Sequence, residues 1–197
     1  RRATSHEFHP VDRQGTGGRD GHAAFENGTD GFTHGELIWS YRDAWRLASD
    51  PARPERGTTW FSGGSAPGLS YAPHLDGGLN TPWLYNVPVA ARLVFDHRYD
   101  LEQYDAGYAW DLAFVEAWTG SGWQQLQPLI PYPHLLAYKV SVIPSLTPGW
   151  SGNSGGWRTE SIDLSALAGA TTVIRFRMAT DTFVGREGWY VDDVRLV

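Results

Sequence analysis

Glycine and proline interrupt this sequence so often that long regular helices are disfavoured along most of it. The 197 residues include 23 Gly and 12 Pro, and the apolar residues fall in short runs between these turn formers. Gly and Pro destabilise helix interiors and favour turns, which argues against a helical bundle or a coiled coil. Hydrophobic residues make up 41% of the chain, enough for a real core. We therefore predict an all-β protein.

Charge and cysteine content narrow the function classes. The formal net charge is -6, and all but one of the 16 basic residues are Arg, scattered singly along the chain. Without a basic stripe, neither nucleic acid nor an anionic membrane surface is an expected partner. The chain has no Cys, which excludes disulfides, thiol catalysis and thiolate-bound metals. No apolar run approaches the roughly 18 residues of a membrane-spanning helix.

The pattern of apolar residues divides the chain into two parts. Residues 1–24 contain Gly, Arg, Asp and His with almost no periodic apolar pattern, so we predict an N-terminal arm or extended segment. Residues 25–197 are predicted to form a single jelly-roll domain with long loops.

Alternating side chains predict the strands of this domain. Within residues 87–99, Leu93, Phe95, His97 and Tyr99 share one face, the period-2 pattern of a half-buried strand. Residues 108–118 (YAWDLAFVEAW) are predicted as another strand, ending at a GSGW hairpin turn. Three strands close the chain within residues 157–167, 171–180 and 188–197. Some eight to ten strands without a long helix favour an antiparallel jelly-roll β-sandwich.

Several stretches resemble one known family. They are FENGTDGF at 25–32, FDHRYDLEQYDAG at 95–107, SGNSGGW at 151–157, and the closing run that begins IDLSALAG and ends GWYVDDVRLV. Together they resemble the MAM-like jelly-roll modules of bacterial secreted proteins. These modules include the C-terminal domain of immune inhibitor A-type metalloproteases and the cleaved-adhesin or choice-of-anchor modules. The resemblance implies a noncatalytic extracellular module that frequently carries calcium and accompanies secreted enzymes or surface structures.

One carboxylate is predicted to be buried in the last strand. Strict alternation in WYVDDVRLV places Asp192 on the same face as Tyr190 and Val194. Burying a carboxylate costs several kcal/mol unless it is paired or bound to a metal. Calcium takes about six to eight oxygen ligands, which carboxylates and loop carbonyls supply. The sequence thus predicts a discontinuous Ca2+ site, with candidate ligands Glu26, Glu102, Asp105, Asp181 and Asp192.

Other interpretations of these acids stay open. Asp192 can instead pair with Arg98 or Arg175, or remain as a buried neutral acid. Acidic residues in turns are usually solvated or form Asx caps. No D-x-[DN]-x-[DN]-G loop marks a continuous calcium site.

No catalytic motif is recognisable. The sequence lacks H-E-x-x-H, and nothing marks a pair of carboxylates facing a cleft. Its SGGS and SGNSG stretches are predicted in loops, without the strand-turn-helix context of a G-x-S-x-G nucleophile elbow. His97, on the inward face of its strand, is interpreted as a core histidine rather than a ligand. We predict that the protein is not an enzyme.

The ten Trp residues divide by their neighbours. Trp39, Trp110 and Trp189 lie in apolar surroundings and are predicted to be core residues. Five others lie close to Gly, Pro or Ser, where they either cover the core or form a contact surface for sugar rings or protein. These candidate ligand-binding residues are Trp60, Trp83, Trp123, Trp150 and Trp157.

The favoured function is a noncatalytic binding or adhesion module, extracellular or at the cell surface, accessory to a secreted or surface protein. Its structural calcium would hold the fold, and its loop aromatics would contact a glycan or a protein surface. The alternative is a structural subunit of an extracellular filament or surface assembly, self-associating through residues 1–24. A third hypothesis makes the chain the trailing module of a metalloprotease.

Overall fold

Short strands make up the regular structure. The computed structural model describes residues 22–197, and within this range it contains no α-helix. Two single 3-10 turns, Pro54–Arg56 and Ser165–Leu167, accompany the strands. The strands are β1 His22–Ala23, β2 Thr33–Glu36, β3 Trp45–Ala48, β4 Thr59–Gly63, β5 Asp76–Asn80, β6 Arg92–Leu101, β7 Tyr108–Ala109, β8 Leu112–Trp118, β9 Trp123–Gln125, β10 His134–Leu136, β11 Pro148–Gly149, β12 Gly152–Asn153, β13 Arg158–Asp163, β14 Ile174–Ala179 and β15 Gly188–Leu196.

Two antiparallel sheets form the sandwich. The larger has the order β12-β6-β15-β4-β3, with β1 paired to β15 and β13 paired to β6. The smaller has the order β2-β5-β14-β8-β9. A three-stranded sheet, β11-β10-β7, lies to one side and contains a parallel pair, β10 with β7. The prediction of an all-β antiparallel jelly-roll sandwich is confirmed.

The core lies between the two sheets. Strand β6 alternates as predicted, with Leu93, Phe95, His97 and Tyr99 all buried. Phe95 contacts Phe176 of the opposite sheet edge to face, with ring centroids 5.0 Å apart. The buried His97 accepts a 3.1 Å hydrogen bond from Trp189 Nε1, so its role is in the core. Burial lowers the pKa of His97, which therefore stays neutral at pH 7.

The prediction of one continuous strand over residues 108–118 is wrong near its start. The segment is divided into β7 and β8 because Trp110 and Asp111 turn their amides toward another segment, and both donate to the carbonyl of Glu102 at 3.1 Å. The prediction that Trp39 is a core residue is also wrong. Its side chain is 91% exposed, in a loop between β2 and β3.

Strict alternation also fails in β15, at a β-bulge. The register with β6 shifts between Asp192 and Arg195, and Asp193 has a φ of 49°, the left-handed conformation that bulges often require. The bulge puts Val194 in the core, whereas Tyr190 stacks on Phe61 with ring centroids 4.3 Å apart. The prediction that Asp192 shares a face with Val194 is therefore wrong.

The start of the described chain joins the larger sheet. Strand β1 pairs antiparallel with β15, so the first described strand lies beside the last one. Residues 1–21 of the predicted arm lie outside the described residues. The boundary at residue 24 stays a prediction.

Candidate functional site

A row of polar side chains crosses the outer face of the smaller sheet. The pairing of the strands places these side chains opposite one another. The cross-strand pairs are Thr33 with Asn80, Asn80 with Arg175, Arg175 with Glu116, and Glu116 with Gln125. Directly opposite residues on one face have neighbouring Cβ atoms, so five separate segments contribute to one ladder.

Three tryptophans form a wall beside this row. Trp118 and Trp123 meet across the β8–β9 hairpin with ring centroids 5.8 Å apart, and Trp83 lies in the segment after β5. Trp83 and Trp123 are 48% and 36% exposed. The groove so formed, here called the tryptophan groove, has a volume of about 630 Å³, within the usual range for ligand sites. Its lining residues are Gly31, Thr33, Asn80, Thr81, Pro82, Trp83, Trp118, Trp123, Val173 and Arg175.

Ion pairs neutralise the charged side chains at the floor of the tryptophan groove and next to it on the same sheet. Arg175 bonds Glu116, and its guanidinium lies 3.6 Å from the centroid of the Trp123 ring. Next along the strand, Arg177 makes two 2.8 Å hydrogen bonds to Asp76. Gly78 of β5 lies opposite Arg177 of β14, and a Cβ at this position would meet Arg175 Cδ at 2.6 Å. A glycine at this position lets the arginine stem cross the sheet.

A second candidate site is a cluster of three carboxylates, Glu102, Asp111 and Asp181. One oxygen from each lies within 4.8 Å of the others. Asp111 is fully buried, accepting hydrogen bonds from the Tyr71 hydroxyl and from the Asp181 amide. Glu102 Oε2 is buried and has no hydrogen-bond partner among the described residues.

Mutual repulsion and burial shift the protonation of this cluster. Desolvation raises the pKa of Asp111 to about 8, and the charges of Asp181 and Glu102 act in the same direction. Desolvation and the charge of Asp181 also raise the pKa of Glu102. A cation among these oxygens would remove the penalty.

The spacing of the acidic cluster suits calcium. Calcium binds oxygens at about 2.3–2.6 Å, so ligands on opposite sides of the ion lie about 4.6–5.2 Å apart. The three carboxylate oxygens fall within that limit, and their hardness matches Ca2+ rather than a softer metal.

The structure brings together two of the five predicted metal ligands, Glu102 and Asp181. Glu26 is exposed and accepts a hydrogen bond from the Thr58 amide at 3.2 Å. Asp105 forms an Asx turn, accepting from the amides of Gly107 and Tyr108.

Asp192 lies apart from the acidic cluster and is paired with an arginine. Its Oδ2 accepts from Arg56 Nε at 3.3 Å, in place of the Arg98 or Arg175 considered from the sequence. Desolvation raises the pKa of Asp192 to about 6, with the Arg56 charge opposing that shift. Arg56 also bonds Asp96 and Asp193, so one guanidinium joins three acids on the outer face of the larger sheet.

The five candidate tryptophans occupy three different environments. Trp60 and Trp150 are 1% and 2% exposed and belong to the core. They are therefore not available to contact a ligand. Trp157 packs on the outer face of the larger sheet, with Nε1 donating to Asp50 and its ring 4.3 Å from the Arg56 guanidinium. Trp83 and Trp123 line the tryptophan groove.

A smaller concavity of about 300 Å³ borders the acidic cluster. Trp110 stacks on Tyr138 with an interplanar angle of 5° and ring centroids 5.3 Å apart. Phe183, which is 80% exposed, lines the same concavity together with Asp181.

Asp111, Trp118 and Asn80 were not predicted from the sequence, and Arg175 was considered only as a partner of Asp192. Asp111 was the one carboxylate before the apolar run LAFV, a signal that could have singled it out. The others depend on strand register, which the sequence does not show.

Comparisons with known proteins support the fold and a coarse kinship. No family model matches the chain. A segment of 80 residues is 32% identical to Bacillopeptidase F of Bacillus subtilis, and one of 51 residues is 49% identical to the Pre-pro-metalloprotease PrtV of Vibrio cholerae. These segments are 38% and 26% of this chain but 5% and 6% of those proteins, so the chain corresponds to a small part of each relative.

A solved structure covers much more of the chain. The K3 cleaved adhesin domain of Lys-gingipain from Porphyromonas gingivalis has a TM-score of 0.54 at 20% identity, covering 89% of this chain and 97% of that one. This likeness shows a shared β-sandwich fold. The resemblance stated from the sequence therefore holds at this coarse level, and its immune inhibitor A-type and choice-of-anchor assignments stay predictions.

Proposed function

We propose that this protein is a noncatalytic extracellular binding module whose ligand is a glycan held in the tryptophan groove. The observation that carries this proposal is the pairing of two partly exposed tryptophans, Trp83 and Trp123, with a row of polar side chains on a rigid sheet. Aromatic faces pack on the apolar faces of sugar rings, and polar groups beside them bind the hydroxyls.

Kinship to segments of bacterial proteases supports the accessory role and the extracellular location. The described residues contain no helix of the length and apolarity that a membrane crossing needs. The buried charged groups of the tryptophan groove and of the neighbouring strand positions are paired with each other and show no nucleophile with an adjacent base, which favours binding over catalysis.

We further propose that Ca2+ binds at Glu102, Asp111 and Asp181 and has a structural role. These residues come from the end of β6, the break before β8 and the turn after β14, so one ion would join three segments. The alternative of self-assembly concerns residues 1–24, nearly all outside the described residues, and stays a prediction.

The Trp123→Ala variant is expected to weaken glycan binding at least tenfold, because it removes one of the two partly exposed aromatic faces that line the tryptophan groove. Affinity electrophoresis of the full chain through gels containing soluble polysaccharides measures this change.

The matched control is Trp39→Ala, since Trp39 is the most exposed tryptophan and lies outside the groove. It should migrate as the parent protein does. If Tyr138→Ala abolishes binding while Trp123→Ala retains it, the ligand occupies the smaller concavity and the proposed site is wrong.

A further inference from the structure

The one charged residue that lines the tryptophan groove is already paired with a carboxylate. Arg175 is the one lining residue that carries a charge, and its side chain is 9% exposed. Glu116 occupies the guanidinium edge and the Trp123 ring covers its face. An anionic ligand would therefore have to displace Glu116 in order to form the same ion pair with this cation.

Such a displacement would be strongly unfavourable. The side chain of Glu116 is 6% exposed, and apart from Arg175 its nearest cation is Arg177, 3.7 Å away. Arg177 is in turn bound through two hydrogen bonds to the fully buried Asp76. The four groups carry two positive and two negative charges. Because withdrawing one arginine leaves a buried carboxylate uncompensated, the network resists exchange.

The remaining polar group favours a ligand that donates hydrogen bonds. Asn80 lies between Thr33 and Arg175 in the polar row, and its Oδ1 is buried without a hydrogen-bond partner among the described residues. The nearby Thr81 hydroxyl is satisfied, donating to the Pro82 carbonyl and accepting from the Ile174 amide.

The Asn80 amide carries one acceptor oxygen and two donors, and rotation about χ2 decides which of them faces the groove. A sugar hydroxyl or acetamido group can donate to that oxygen, whereas carboxylate and sulfate groups have only acceptors at neutral pH. A sugar hydroxyl can both donate to and accept from this amide, whereas an anion can only accept, so an uncharged ligand is needed to satisfy the oxygen that has no partner among the described residues.

We infer that the tryptophan groove selects uncharged glycans, bound through hydroxyl or acetamido donors, over glycans that carry carboxylate or sulfate groups. This inference rests on the proposed glycan-binding function and adds the chemical class of the ligand.

Titration calorimetry on the full chain tests the selection. The probes are three neutral polysaccharides, a β-mannan, a mixed-linkage β-glucan and hydroxyethyl chitin, and two anionic ones, polygalacturonate and chondroitin sulfate. Each is measured at about 0.02 M and about 0.5 M NaCl, where screening of charge differs strongly. We expect at least one neutral glycan to bind at least tenfold more tightly than either anion, with its affinity changing less than about twofold with salt.

The Asn80→Ala variant should lower that affinity about tenfold, the loss of a hydrogen bond to a neutral group. Its melting temperature should not fall, because the amide oxygen makes no bond in the unliganded protein. A fall in melting temperature with unchanged affinity would assign Asn80 a structural role and overturn this part of the inference.

Tighter binding of polygalacturonate or chondroitin sulfate that weakens with salt would overturn the inference. If Trp123→Ala still abolished that binding, the proposed function would stand. Failure of both glycan classes to bind would overturn the proposed function itself, and the inference with it.

Discussion

Adding millimolar calcium to the metal-free protein is expected to raise its melting temperature by about 5–10 °C. An ion that binds only the folded state at about one hundred times its dissociation constant stabilises that state by about 2.7 kcal/mol. For a domain of this length each kcal/mol corresponds to about 2–4 °C. Scanning calorimetry with calcium and with EDTA measures the difference, and magnesium, which prefers a tighter octahedral site, should give a smaller shift.

The calcium effect should grow with pH, because calcium and protons compete for the same carboxylate. The pKa of Asp111 is about 8 in the folded, metal-free protein, compared with about 3.9 in an unfolded chain. Between these values the folded state holds a proton that the unfolded state has lost, so the free energy of unfolding in EDTA falls as pH rises from about 4 to about 8. Calcium replaces that proton, and its stabilisation should be small at pH 5 and large at pH 8.

Glu102→Gln separates the acidic cluster from nonspecific effects of calcium. This variant keeps the shape of the side chain but removes the negative charge of Glu102. The Oε2 atom of Glu102 has no hydrogen-bond partner among the described residues. The variant should lose most of the calcium shift while melting in EDTA at or above the temperature of the parent protein. Asp105→Asn is the matched control, because an Asn side chain retains the Asx turn and the residue lies outside the cluster. Equal calcium shifts in both variants would contradict the proposed site.

Strand β6 was predictable from the sequence because its burial follows period 2. In β6 every second residue is buried from Leu93 to Leu101. A strand with only one face buried produces this alternation of apolar and polar residues in the sequence. The prediction failed where local backbone geometry departs from the repeat. At Asp193 a bulge reverses the faces of β15, and at Asp111 two amides leave the ladder for the Glu102 carbonyl.

The candidate sites were only partly predictable because long-range register assembles them. Glu102 and Asp181 were recognised as acids near turns, but Asp111 was hidden within an aromatic segment read as one strand. The polar row of the tryptophan groove joins residues as distant in sequence as Thr33 and Arg175, and no local pattern marks them as neighbours. In the same way Asp192 was expected to need a partner, and a loop residue, Arg56, supplies it.

Replacing Asp76 with Asn is expected to lower the free energy of unfolding by about 3 kcal/mol. Asp76 is fully buried and accepts two hydrogen bonds from Arg177, and removing its charge leaves a buried guanidinium uncompensated, which typically costs about 3–5 kcal/mol. The lower end of that range applies because Glu116 remains 3.7 Å from Arg177. Urea denaturation measures the change, and Glu55→Gln, which breaks the exposed ion pair with Arg53, should leave the midpoint unchanged.

A double variant distinguishes loss of the pair from loss of packing. In Asp76→Leu with Arg177→Met both charges are absent, so the desolvation penalty disappears along with the attraction, and stability should recover to within about 1 kcal/mol of the parent protein. A double variant as unstable as Asp76→Asn would show that the hydrogen bonds, including that from Ser141 to Asp76, matter more than charge balance. Recovery would instead show that this network adds little net stability, which is consistent with a role in keeping the outer face of the smaller sheet electrically neutral beside the tryptophan groove.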